Sequence, residues 1–181
     1  MKKTCAVCAL FAAAFFTVSV VISCKSVPLP EPPEVSVCSP EAEPFEPNEF
    51  ELRVFELTNV ERSRQRLPPF EWNNAASCVA RQHSIDMQSN DFMRQRGSDG
   101  SDSMQRLERA GIGNIRRRET NIAGGWLTPE EVVAAWMESP IHKPNILSRE
   151  FTHVGVGFFP RPDDSESRYA TYWTQEFLAF D

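Results

Sequence analysis

The sequence predicts an α+β domain in which helices cover both faces of a small sheet, and three observations carry that prediction. Through the middle of the chain, apolar residues recur every three or four positions, the spacing of helices packed along one stripe. Toward the C-terminus the period changes to two: Val154, Val156 and Phe158 alternate with His153, Gly155 and Gly157, and Tyr169, Thr171, Trp173, Gln175 and Phe177 form a second alternating set. The strand candidates are few against the number of helices, so a small sheet has to be covered on both sides.

The chain begins with Lys2 and Lys3, runs through an uncharged stretch from Ala6 to Ile22, and reaches Val21-Ile22-Ser23-Cys24. A basic start, an apolar middle and a small residue before the cut form an export leader. A cysteine directly after that small residue looks like a bacterial lipobox, so residues 1–23 read as a lipoprotein signal peptide and Cys24 as the lipid-bearing residue. An uncleaved anchor is the alternative, since the run approaches the roughly 18 residues that span a bilayer. Either way the remainder is expected outside the cytoplasm, tethered to a bacterial membrane. Residues 24–48 follow, with Pro28, Pro30, Pro32, Pro33, Pro40, Pro44 and Pro47 among Glu and Val. Such a segment has little to bury and reads as an extended, acidic linker. Residues 49–181 are left for one domain with one core.

Within it, Asn48 is placed to cap a first helix reaching Arg66, with Phe50, Val54, Leu57 and Val60 as its inward stripe. Leu67-Pro68-Pro69-Phe70 ends it. Asn73 or Asn74 starts a second helix, whose stripe is Ala76, Val79, Ala80, His83 and Met87; His83 reads as a hydrogen-bonded core histidine. Arg94 to Ser103 is a polar loop containing Gly97 and Gly100, and Asp102 or Ser103 caps a short helix that stops at Gly111. One or two strand candidates surround Ile115 and Ile122, and Arg116-Arg117-Arg118 reads as a solvated basic patch. Thr128-Pro129-Glu130-Glu131 is a strong helix start: a cap, a proline at the first position and a glutamate to close the box. Val132, Val133 and Trp136 then face inward, and Pro140 ends the helix.

The charge balance narrows the partners. The whole chain has 19 basic and 25 acidic residues; without Lys2 and Lys3 the mature part has 17 against 25, a formal charge of −8. Nucleic acid is therefore not an expected partner. Of five cysteines, Cys5 and Cys8 leave with the leader and Cys24 is the lipid site. A Cys38–Cys78 disulfide is one reading in an oxidising compartment. The simpler one makes Cys78, among Ala75, Ala76, Val79 and Ala80, a small buried apolar residue.

Several segments, in order over nearly all of residues 49–181, resemble the bacterial branch of the SCP/CAP superfamily, the cysteine-rich secretory protein, antigen 5 and pathogenesis-related 1 proteins. They are Asn59-Val-Glu-Arg62 with Leu67-Pro-Pro-Phe-Glu-Trp72, Ala80-Arg-Gln-His-Ser-Ile-Asp-Met87, Gly97-Ser-Asp-Gly-Ser101, Asn121-Ile-Ala123, Thr128-Pro-Glu-Glu-Val-Val133, Trp136-Met-Glu-Ser-Pro-Ile-His-Lys-Pro-Asn-Ile-Leu147, Phe151-Thr-His-Val-Gly-Val-Gly157 and Tyr172-Trp-Thr-Gln-Glu-Phe177. The resemblance implies an α-β-α sandwich. It also implies a cleft that usually joins two His and one or two Glu, which in some members hold a divalent metal. Here only His142 matches. Gln95, flanked by Arg94 and Arg96, stands where the other His is expected; Thr120 stands where a Glu is expected, with Glu119 one residue back; and Ser139, with Glu138 beside it, is at the place of the other acid.

Neutral amide and hydroxyl oxygens are poor zinc ligands, so no tight metal site and no cofactor are expected. A nucleophile needs a base that a third group orients, and no motif marks one. The expected function is a non-enzymatic, envelope-anchored binding or interaction module. Its degenerate cleft of Gln95, Thr120, His142, Ser139 and Glu138 would face a lipid, small-molecule or protein ligand. The alternative is a cleft hydrolase with His142 as general base. Neither ligand nor oligomeric state is legible in the sequence.

Overall fold

The computed structural model describes Cys38, residues 44–162 and residues 166–181. The expected leader, the lipid site at Cys24 and most of the linker lie outside these residues. Helix α1 (Glu49–Arg64) opens at Asn48, whose side chain accepts from the Glu51 N–H while Glu51 accepts from the Asn48 N–H. These reciprocal bonds satisfy two of the otherwise orphaned donors at a helix start. A two-residue strand β1 (Glu71–Trp72) leads to Asn73, the cap of α2 (Asn74–Ser89). Asp102 caps α3 (Ser103–Arg109), and Gly111, at φ 78°, turns the chain away from it. Strand β2 (Ile115–Gly124) follows, then α4 (Pro129–Glu138), which starts at the expected Thr128 cap and Pro129 and stops before Pro140. A single turn α5 (Lys143–Ile146) precedes the antiparallel hairpin β3 (His153–Pro160) and β4 (Thr171–Phe180).

The four strands lie in the order β1-β3-β4-β2. All pairs are antiparallel except β1 with β3, which run parallel over Glu71 and Trp72. Proline-flanked and two residues long, β1 has no period for a sequence reading to find. The two candidates near Ile115 and Ile122 are one continuous strand, and Arg116–Arg118 lie on it.

Helices cover both faces, giving the α-β-α sandwich. Val154, Val156 and Phe158 of β3 and Trp173, Phe177 and Ala179 of β4 face α1, α4 and α5, forming a core with Phe50, Val54, Val132, Val133, Trp136 and Ile146. The alternate residues face α2 and α3, where Leu178 packs with Ala76, Val79 and Leu107, and Tyr172 with Met87 and Phe92. On that second face α2 lies directly on β3. A Cβ at Gly155 would sit 2.3 Å from the Ala76 carbonyl carbon, and one at Gly157 only 2.0 Å from the Arg81 backbone nitrogen. The contact is sealed by polar side chains: the Val156 N–H donates to Ser77 Oγ at 3.1 Å, and Ser84 Oγ reaches the Gly157 carbonyl at 3.3 Å.

The inward stripe of α1 differs from the expected one. Val60 is 45% exposed and Leu57 only partly buried, whereas Glu51 and Arg62 are buried. The helix is seated so that an i, i+4 row from Phe50 and Glu51 through Val54 and Thr58 to Arg62 meets the sheet and α5, and the two charges on it are fully engaged. Glu51 takes the Arg81 guanidinium and the Phe158 N–H (3.0 Å); Arg62 donates to the carbonyls of Pro68, Ile146 and Ser148 at 2.7–2.8 Å and lies over the Phe70 ring.

Cys38 and Cys78 are bonded across a sequence separation of 40. Cys78 is buried, 6% exposed, but the simpler reading of it as an unpaired apolar core residue does not hold: its sulfur is tied to Cys38, which the bond pins onto α2. Just before α1, the Arg81 guanidinium lies over the Phe45 ring and donates to the Glu46 carbonyl at 2.9 Å.

Gly157→Ala is expected to destabilise the domain by about 3 kcal/mol or to prevent folding, because the overpacked atoms are backbone and cannot rotate away. Gly113→Ala, which meets nothing within 4 Å, is the control and should change stability by under about 0.5 kcal/mol. Urea unfolding followed by tryptophan fluorescence separates the two. In the same assay, serine at both Cys38 and Cys78 should lower unfolding free energy by about 3–4 kcal/mol through the released loop.

Candidate functional site

The residues singled out in the sequence gather around β2, an outer strand of the sheet. Two of its carbonyls are met by side chains: Gln95 Nε2 donates to Thr120 O at 2.8 Å and Trp136 Nε1 to Ile122 O at 3.4 Å. Successive strand residues point to opposite faces, and this divides the predicted set. Thr120 is paired with Glu176 and faces α3; Asn121 is paired with Gln175 and faces α1 and α5. The Thr120 hydroxyl and the His142 segment are therefore on opposite sides of the strand. Glu119, one residue back from Thr120, pairs with Phe177, so it takes the face that Thr120 does not.

On the His142 side, a chain of buried amides runs through the sheet. Gln175 Nε2 donates to Thr58 Oγ1 of α1 at 2.9 Å, Asn121 Nδ2 donates to Gln175 Oε1 at 3.3 Å and to the His142 carbonyl at 3.2 Å, and Asn145 Nδ2 donates to Asn121 Oδ1 at 2.9 Å. The backbone of the Ser139–Asn145 turn is thus held by residues that were visible only as parts of motifs. Their lack of charge hid them: an amide in a strand reads as filler unless its cross-strand partner is known. Ser139 caps the end of α4, and its Oγ accepts from the N–H groups of Ile141 and His142, both at 3.4 Å. Glu138 is exposed. The His142 imidazole is half-buried, has no hydrogen-bond partner among the described residues, and is held toward its neutral form by partial desolvation. Ile141 beside it is 74% exposed.

On the opposite face lies a carboxylate that the sequence reading passed over. Glu176 is fully buried, and its Oε2 accepts from Ser103 Oγ at 2.6 Å and Thr120 Oγ1 at 2.7 Å. Arg106 Nη2 is 3.6 Å from Oε1, and Arg118 approaches from β2 while holding Asp102 at 3.4 Å. Burial pushes the Glu176 carboxyl above the usual range, opposed by those hydroxyls and guanidinium groups. This carboxylate lies beside Thr120 on the neighbouring strand, on the face away from His142, and is sealed behind Thr120 and Ser103. Only the antiparallel register, Thr120 against Glu176, could have revealed it.

Several arginines near these residues are engaged within the domain. Arg94 lies over Phe92, Arg96 donates to the Gly100 carbonyl, and Arg117 pairs with Glu150. His83 is a core residue: Nε2 lies 3.0 Å from the Arg94 carbonyl and so donates to it, which leaves Nδ1 as a buried lone pair. Desolvation and the nearby Arg106 lower its pKa to about 4.

A divalent metal does not fit the cleft residues. His142 offers an imidazole with no anionic neighbour, Gln95 spends its amide N–H on a carbonyl, and Thr120 turns its oxygen to Glu176. No group of three or more His, Cys, Asp or Glu able to hold a metal occurs among the described residues. No described helix is long and apolar enough to cross a membrane.

A different feature has the shape of a ligand site. Between the first turns of α1 and α4 lies a groove of about 590 Å³, lined by Glu49, Phe50, Arg53, Leu127, Pro129 and Glu130 among others. Its exposed surface is mainly apolar, and Leu127 and nearby Trp126 are 49% and 43% exposed. That volume is in the range of small-molecule sites.

The class of fold is an α-β-α sandwich whose outer strand is clasped between the Gln95 loop and the His142 turn. The chain belongs to the cysteine-rich secretory protein (CAP) family, whose model matches residues 55–177. It is 38% identical over 129 residues to the uncharacterized protein YkwD of Bacillus subtilis (strain 168), a match covering 71% of this chain and 47% of that protein. Among solved structures it resembles an extracellular SCP-domain protein of Bacillus anthracis str. Ames, with 28% identity, a TM-score of 0.63, and coverage of 76% of this chain and 45% of the other. It also resembles an outer surface protein of Borrelia burgdorferi in fold, with 18% identity, a TM-score of 0.66, and coverage of 77% and 98%. The chain thus spans about half of YkwD and of the Bacillus anthracis protein.

The buried imidazole makes a pH prediction. The folded pKa of His83, about 4, lies below the ordinary 6.5, so the fold holds the neutral ring. Its contribution to stability is whole above pH 6.5 and is lost as pH falls from 6.5 toward 4. Glu176 acts with the opposite sign, losing stability as pH rises above the ordinary glutamate value. His83→Gln should therefore flatten the fall in unfolding free energy between pH 6.5 and 4 by up to one proton's worth of slope, read from denaturant curves at each pH.

Proposed function

We propose that this chain is an extracytoplasmic, lipid-anchored CAP domain that binds a small apolar ligand, such as an acyl chain, and catalyses no reaction. The observation that carries the reading is the α1–α4 groove, with Phe50, Leu127 and Pro129 in its lining. Its apolar walls would gain from covering hydrocarbon at roughly 25 cal/mol per Å². The leader and Cys24 in the sequence support the anchor, and a disulfide favours an oxidising compartment. The extracellular Bacillus anthracis relative supports the same location.

Against a hydrolase stands the state of the cleft. A general base works when a nucleophile touches it and a third group orients it. The His142 imidazole lacks an orienting partner among the described residues, while the oxygens of Ser139 and Thr120 face backbone N–H groups and Glu176 respectively.

A fluorescent fatty acid should bind the wild type and bind Leu127→Glu at least tenfold more weakly; equal binding by both, or none by either, overturns the groove reading. Wild type and His142→Ala should be equally inactive on casein, ester and peptidoglycan substrates. Turnover that disappears in His142→Ala would establish the hydrolase instead. Incorporation of labelled palmitate, blocked by globomycin and lost in Cys24→Ala, checks the anchor.

A further inference from the structure

The groove between α1 and α4 has walls and charges of different chemistry. Phe50, Leu127 and Pro129 give it apolar walls, while Glu49, Arg53, Glu130 and Glu131 also line it. The acids gather there because two helices begin there: Glu49 opens α1, and Glu130 and Glu131 follow Pro129 at the head of α4. Acidic residues in a first turn complement the positive end of a helix.

The charges do not cancel. Glu131 is occupied by its own helix, accepting from the N–H groups of Leu127 at 2.9 Å and Thr128 at 3.1 Å. Arg53, the one cation among the described lining residues, is divided between two carboxylates. Its Nε donates to Glu130 at 2.8 Å and its Nη1 to Glu56 at 3.1 Å. The Arg53 bond holds Glu130 below the usual carboxylate range, so that group stays ionised. Glu49 is exposed and has no ion-pair partner among the described residues. Each helix N-terminus supplies about half a positive charge. Against two such ends and one guanidinium, the carboxylates of Glu49, Glu56, Glu130 and Glu131 leave an excess of about two negative charges.

An apolar slot with an anionic rim is complementary to a molecule with a hydrocarbon body and a positive head. We propose that the α1–α4 groove takes a cationic amphiphile, an alkyl chain ending in an ammonium group. This rests on the groove being a ligand site for hydrocarbon, as proposed above, and names the head group that its charges select. The chain lies against Phe50, Leu127 and Pro129, and the head stays at the wet rim with Glu49 and Glu130. A fatty acid offers the same hydrocarbon but brings its carboxylate to a rim of like charge, so it binds more weakly. The rim is exposed, and screening limits the discrimination. Charges a few ångströms apart near the surface are worth about tenfold in affinity at low salt, and much less once the Debye length falls to ~3 Å at about 1 M.

Titration calorimetry on residues 24–181 without attached lipid, which keeps every described residue, tests this. The two ligands are dodecyltrimethylammonium and dodecanoate, each below its micelle concentration. At low salt the ammonium should bind the wild type about tenfold more tightly than the carboxylate, and near 1 M salt within about twofold of it. Glu49→Gln/Glu130→Gln should bring the two within about twofold already at low salt. Glu71→Gln/Glu108→Gln, which removes two exposed carboxylates outside the groove lining, should leave the preference intact. Equal or reversed affinities in the wild type, or a preference unmoved by Glu49→Gln/Glu130→Gln, would overturn the head-group proposal and leave the apolar groove standing. Binding of neither amphiphile would defeat the groove reading, and this proposal with it.

Discussion

The contact on which the rest of the structure depends is the one between the backbone of α2 and the backbone of β3. It exists because residues 155 and 157 have no side chains; any Cβ there would lie 2.0–2.3 Å from main-chain atoms of α2. Close approach lets Ser77 and Ser84 bond the strand directly, brings Cys78 to where Cys38 can be tied, and carries Arg81 to Glu51 at the start of α1. A helix standing a side chain's length off the sheet would reach none of these. Glycine in a strand ordinarily weakens it, so the cost is justified only where another backbone has to come close.

From that seat the two sides of the sheet acquire different characters. One side holds an aromatic core and a relay of neutral amides that ends on the backbone of the His142 turn. The other holds a buried carboxylate between two hydroxyls and two arginines. The outer strand β2 divides them, and its alternation sends Thr120 to one side and Asn121 to the other. The cleft is accordingly a place where polar groups hold one another, with the His142 imidazole left over, while a groove with mainly apolar walls lies elsewhere, between α1 and α4.

Much of this was legible in the chain. Asn48, Asp102 and Thr128 announced their helices because capping is local: a side chain bonds an N–H three residues on, whatever lies around it. The β3–β4 hairpin followed from its alternation. The stripe of α1 was misjudged because hydrophobicity points to Val60, whereas the seating of the helix buries Glu51 and Arg62, whose partners lie far along the chain at Arg81, Phe158 and Ile146. Gln95, Thr120 and His142 were found as neighbours of β2, but the direction each faces was not. Glu176 was missed because its significance is its register with Thr120, a relation between residues 56 positions apart.

What the sequence determined by itself was therefore what short-range chemistry controls: the caps, the periods, the glycines that admit a close neighbour, and the family. Tertiary structure decided which face each residue serves, which charges are buried, where the groove lies, and that Cys38 reaches Cys78. These depend on strand pairing and helix seating, and no local pattern of residues encodes which distant segment will lie opposite.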